Sequence, residues 1–123
     1  MFELSHFLGD FVLKTNTMAA AGKFSHKIWP MIFHSIIHGF LFSCAVFIFD
    51  STLWTMTVPH IFAYVTVLHF IIDYSKGIVS RMNADFTDVN KHVCWTIFGF
   101  DQFAHQCVIV FLMYLIIFGY MYN

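Results

Sequence analysis

From its first residues the chain alternates long apolar blocks with short polar breaks. The blocks run from about residue 2 to 18, 28 to 50, 58 to 79 and 92 to 122, against the roughly 20 apolar residues a helix needs to cross a bilayer. Apolar residues fill each block rather than forming one stripe, the pattern of a helix surrounded by hydrocarbon. The blocks predict an all-α fold: a single domain over 1–123, an integral membrane bundle of four transmembrane helices, the first of them short. Pro59 sits where a helix-starting proline is tolerated, and Gly77 where the third helix begins to end. Thr87 or Asp88 is the expected N-cap of the fourth helix, after the one long polar loop, SRMNADFTDVNK.

Composition strengthens this reading. With 59% hydrophobic and 11% charged residues, 123 residues could not bury their apolar surface as a soluble domain. The N-terminal MFELSHFLGDF has no basic region, so no signal peptide is expected. A net charge of −1 without a basic tract gives no reason to expect nucleic acid as a partner; membrane lipid is the expected one. Lys14, Lys23, Lys27, Lys76, Arg81 and Lys91 all fall near the loops joining helices 1–2 and 3–4. The positive-inside rule places those loops in the cytoplasm, making this a multi-pass membrane protein with both termini outside. Trp54, Tyr120 and Tyr122 are suited to anchor the far interface. Cys44, Cys94 and Cys107 are odd in number and read as small buried hydrophobes, not as a disulfide framework.

Against this apolar background one polar pattern recurs. His6 and Asp10, His34 and His38, His69 and Asp73, and Asp101 and His105 form one pair per helix, each four residues apart. That spacing stacks two side chains on one helix face. A rise of about 1.5 Å per residue puts Asp10, His34, Asp73 and Asp101 about 9–12 Å from the cytoplasmic helix ends, and His6, His38, His69 and His105 about 15–18 Å. Because the helices alternate in direction, the pairs come level: a layer of four histidines and a shallower layer of three aspartates plus His34. His26, His60 and His92 lack such partners and read as interfacial or loop residues.

Imidazoles and carboxylates converging in a bundle suit one or two divalent metal ions, zinc first, with iron or manganese as alternatives. Metal would also neutralise aspartates that are otherwise costly in hydrocarbon. The simplest ligand set is His6, Asp10, His69, Asp73 and His105, with His34, His38 and Asp101 as ligands to a second ion or as supporting groups. An aspartate left free, Asp73 or Asp101, would serve as general base in metal-assisted hydrolysis. Lys14 and Lys76, one turn nearer the cytoplasm, and Arg81 are placed to receive an anionic headgroup.

The segments HFLGDFVLKT, MAAAGK, MIFHSIIH, HFIIDYSKG and FDQFAHQ together run across nearly the whole chain. In them it resembles the small polytopic membrane proteins of bacteria and phages catalogued as domain-of-unknown-function family thirty-three-oh-seven. The resemblance implies His6, Asp10, His34, His69, Asp73, Lys76, Asp101, Gln102 and His105 as the family's characteristic positions, and implies no established activity. Gln102 is added on this basis to the residues expected at the substrate. An analogy of style, His and Asp pairs in short membrane bundles, extends to membrane-bound metal-dependent hydrolases.

The expected function is therefore a metal-dependent membrane hydrolase acting on a phosphate-bearing or amphiphilic lipid at the cytoplasmic leaflet. Two other classes stay open: a proton or metal-ion conductor, which would need a homo-oligomer, and a phage membrane protein whose polar layer fixes helix register. The metal-free alternative pairs Asp10 with Lys14 and Asp73 with Lys76 along their own helices, leaving Asp101 without a basic neighbour on its helix.

Overall fold

The computed structural model describes residues 2–12, 28–49 and 57–121. Regular structure among the described residues is entirely helical: α1 (Phe2–Phe7) running into a π-helical segment (Leu8–Val12), α2 (Ile28–Phe49), α3 (Thr57–Met82), a 3₁₀ turn (Ala84–Phe86) and α4 (His92–Met121). Lys14, Lys23, His26, Lys27, Trp54 and Tyr122 lie outside the described residues, as does the side chain of Tyr120.

Three helices are long and apolar enough to cross a membrane, over Ile28–Phe49, Val58–Met82 and His92–Phe118. This is a membrane protein with an all-α bundle. The third helix runs three residues beyond its expected end at 79, because Ser80, Arg81 and Met82 continue it before Asn83 turns the chain. The first element departs further from expectation, since its α-helical hydrogen bonding gives way at Leu8 to a π-helical segment. Gly9, with its poor helix propensity, lies inside that wider turn, and such segments recur where a side chain must be re-aimed.

The expected N-cap of the last helix is also displaced. Thr87 ends the 3₁₀ turn, its backbone N–H bonding to the Ala84 carbonyl, and Asp88 accepts from the Asn90 N–H at 2.9 Å. With both residues spent on turns, the helix starts at His92.

Neighbouring long helices are antiparallel. On α2 and α3, Met31 lies beside Gly77 and Gly39 beside Phe62 and Thr66. A methyl group on Gly39 would stand 2.9 Å from the Phe62 carbonyl oxygen and overlap the Thr66 hydroxyl, so glycine sets how closely these two helices pack. Half of the bundle is a dry core of Phe42, Val46, Val58, Ile61, Val65, Ile109, Leu112 and Ile116. Outward-facing Phe33, Phe40 and Phe47 on α2 and Phe100, Phe103 and Phe111 on α4 present the apolar surface that a bilayer requires. The Ser35 hydroxyl donates to the Met31 carbonyl one turn back, and Ser75 to that of Ile71, satisfying both within their helices. Cys44 and Cys94 are partly buried, whereas Cys107 is on the exposed face of α4; all three are free thiols. The expectation of buried cysteines fails for Cys107, since one face of each spanning helix must be turned to lipid.

Candidate metal centre

The other half of the bundle is polar, and each helix contributes to it. His6, His34, His38, His69, Asp101 and His105 are buried, and Asp10 and Asp73 are partly buried. The imidazoles of His6, His38, His69 and His105 form a ring, with successive centroids 5.2, 3.7, 4.3 and 5.0 Å apart around it. His34 lies beside this ring, 4.6 Å from His38 and 5.1 Å from His69. Alternating helix direction produces the layer: the histidine precedes its aspartate on α1 and α3 and follows it on α4.

Two carboxylates lie among these rings. The Nε2 atom of His34 is 3.1 Å from Asp10 Oδ1, that of His38 is 3.3 Å from the same oxygen, and that of His6 is 3.6 Å from Oδ2. Around Asp73, Nε2 of His69 and of His34 lie 3.5 and 3.6 Å from Oδ2, and Nε2 of His105 lies 3.9 Å from Oδ1. Among the described residues, Asp73 has imidazoles and no lysine as its ion-pair partners.

The lysine on the same helix goes elsewhere. Lys76 Nζ donates to Asp101 Oδ2 at 2.5 Å, so α3 supplies the cation for the one aspartate that has no basic neighbour on its own helix. The Asp73–Lys76 pair of the metal-free alternative is replaced by this bridge between helices. Lys76 also lies over the Phe98 ring, 5.2 Å from its centroid. Gln102 donates to the same carboxylate oxygen at 3.3 Å. Arg81 is exposed at the end of α3, away from the cluster, and Lys14 lies outside the described residues. His60 and His92 are exposed and take no part in the cluster; His92 Nδ1 is 3.3 Å from the Thr96 hydroxyl.

One hydrogen bond, between His34 Nε2 and Asp10 Oδ1 at 3.1 Å, accounts for only part of this arrangement. The buried Nε2 atoms of His6, His38, His69 and His105 have no hydrogen-bond partner, although they crowd around two carboxylates. Unsatisfied polar atoms are costly in a membrane interior, and these four, with His34 Nδ1 also unpartnered, are of the donor type that a divalent ion takes. With metal–ligand bonds of about 2.0–2.2 Å, two donors on one tetrahedral ion stand about 3.3–3.6 Å apart. Four of the six nitrogen–oxygen separations around Asp10 and Asp73, from 3.3 to 3.6 Å, are of that size, while the His34–Asp10 contact at 3.1 Å is shorter and the His105–Asp73 one at 3.9 Å is longer. Two sets of donor atoms lie within 4.8 Å of one another, Asp10 with His34, His38 and His69, and His69 with Asp73 and His105. At His105, Nδ1 donates to the Asp101 backbone carbonyl at 2.9 Å, an orienting bond that leaves Nε2 as the ring nitrogen toward the cluster.

Two supporting features were not singled out by the sequence reading. A methyl group on Gly9 would overlap the His38 imidazole, so glycine is what lets α1 come close enough for Asp10 to reach α2. Its place between His6 and Asp10 was the available signal. Gln106 donates to Glu3 at 2.8 Å, tying α1 to α4, and nothing in local spacing marks two residues so distant along the chain.

The model of the family described as a protein of unknown function (DUF3307) matches residues 1–122. The chain belongs to that family. No curated protein and no solved structure matches it.

Proposed function

We propose that this DUF3307 member is a membrane-embedded metal-dependent hydrolase acting on a phosphate-bearing, lipid-like substrate. The observation that carries the reading is the set of four buried imidazole nitrogens without hydrogen-bond partners beside two aspartates without a lysine among the described residues. Such donors fit zinc, with iron or manganese as alternatives, and no thiolate belongs to the set. A divalent ion bound there would activate water and polarise a phosphoryl or acyl oxygen.

The chain's own groups then have distinct tasks. His6, Asp10, His34, His38, His69, Asp73 and His105 supply donors. Asp101 Oδ1 is buried and has no hydrogen-bond partner, which leaves it able to take a proton, while Lys76 holds the other oxygen. Lys76 thus positions a carboxylate, and Arg81 at the end of α3 remains as the group to meet an anionic headgroup. Side-chain exposure rises from 4% at His69 to 19% at Asp73 and 28% at Lys76, which supports entry from the end of the bundle that carries the α3–α4 connection. Lys76, Arg81 and Lys91 flank that connection, so the positive-inside rule makes it the cytoplasmic leaflet of a bacterial inner membrane, with both termini outside.

Conduction is the weaker reading for one chain. A cavity of about 20 Å³, room for a single water, is lined on one side by the four ring histidines and Ser5 and on the other by apolar residues that include Phe42, Val65, Ile109 and Leu112. Among the described residues, the core on its far side is the apolar cluster of Phe42, Val46, Val58, Ile61, Val65, Ile109, Leu112 and Ile116. The test is turnover by detergent-purified protein supplied with zinc or manganese, using a phosphomonoester lipid and a neutral ester lipid in mixed micelles. Release of phosphate that is abolished by His69→Ala supports the hydrolase. Absence of turnover with either metal on both lipids, in protein that has bound metal, would remove the enzymatic reading.

A further inference from the structure

Granting that the cluster binds metal, the number of ions follows from the donors. The two sets overlap at His69. A neutral imidazole nitrogen has one lone pair and serves one ion, so His69 belongs to one set or the other. Given to the second set, it joins Asp73 and His105; the first set keeps Asp10, His34 and His38, with His6 Nε2 3.6 Å from the free oxygen of Asp10. Each set then holds one carboxylate and at least two imidazoles, and each of the four orphaned Nε2 atoms has an ion to face.

A single ion does less well. Placed with Asp10, His34, His38 and His69, it leaves Asp73 charged and the Nε2 atoms of His6 and His105 without partners. Placed with His69, Asp73 and His105, it leaves Asp10 without a counter-charge among the described residues. A catalytic zinc takes about three protein donors and keeps a position open, and seven donors exceed what one such ion uses.

We infer that the bundle holds two divalent ions, one on His6, Asp10, His34 and His38 and the other on His69, Asp73 and His105. Charge then points to the ligand. Two ions bring four positive charges against two carboxylates, because Asp101 is already matched by Lys76. In a low-dielectric interior that surplus draws an anionic phosphoryl group in preference to a neutral ester.

The test is zinc per protein for detergent-purified chain equilibrated with excess zinc and then desalted, for wild type, His105→Ala and Asp10→Asn. Secondary structure and monodispersity are measured on each. The expected result is about two equivalents in wild type and about one in each folded variant. One equivalent in wild type, lost in both variants, would overturn the two-ion assignment and leave the hydrolase reading standing; none in wild type would end both. If His105→Ala does not fold, Asp10→Asn with one retained equivalent supports the assignment and with none contradicts it. Inorganic phosphate is the anion probe: it should raise the melting temperature of zinc-loaded wild type and not that of folded variants with one ion. An equal shift in both, or no shift in wild type, contradicts the anion assignment.

Discussion

Asp73 and Asp101 occupy adjacent helices of one bundle and differ in the charge that faces them. Asp101 is met by the Lys76 ammonium, an ordinary ion pair that neutralises both groups within the protein. Asp73 is met by the rings of His34, His69 and His105 and by no lysine among the described residues. Five imidazoles packed this closely cannot all carry protons without strong mutual repulsion. Asp101 thus has its counter-charge within the protein, whereas Asp73 is, under the proposed function, the one that would meet a bound cation.

Substitutions at the two aspartates and their partners separate these roles. The largest effect is expected from Asp73→Asn, which keeps shape but removes the charge. Metal affinity should fall roughly a hundredfold or more, beyond the loss typical of groups that merely orient a ligand, with the helical content unchanged by circular dichroism. Lys76→Ala should act on the other half of the comparison. Stranding Asp101 in the bundle should cost about 2–4 kcal/mol, less than for a fully buried pair because Lys76 is partly exposed. Thermal denaturation in detergent reads this loss, while metal content should stay near that of wild type. Equal destabilisation in both variants with equal metal would erase the distinction between the two aspartates.

Gly9→Ala is the next in size. The added methyl must displace the His38 ring or push α1 outward, at a cost of about 1–3 kcal/mol, and it should weaken metal retention because it moves donors of the Asp10 set. The smallest effect belongs to Gln106→Leu, which removes an exposed tie between α1 and α4 and should cost about 0.5–1.5 kcal/mol with metal content unchanged.

Much of this architecture was legible because a membrane imposes strong rules on sequence. The blocks of apolar residues gave α2, α3 and α4 nearly to their ends, and the spacing of four with alternating helix direction gave the histidine ring. The partner of Lys76 was not legible, since spacing within one helix favoured Asp73 and the choice between Asp73 and Asp101 depends on how α3 is rotated against α4. The π-helical turn at Leu8–Val12 was missed for a related reason: the i, i+4 rule assumes an unbroken α-helix, and nothing in LGDFV announces a wider one. Thr87 and Asp88 were good caps by type but were drawn into turns of their own.

Under the proposed function, His and Asp side chains inside this bundle bind metal. X-ray absorption at the metal edge of protein purified in detergent, without metal-chelating affinity steps, tests it most directly. The expected spectrum is that of a bound transition metal with nitrogen and oxygen neighbours at about 2.0–2.2 Å and the outer-shell scattering of imidazole rings. No metal edge, or a sulfur shell at about 2.3 Å, would contradict it.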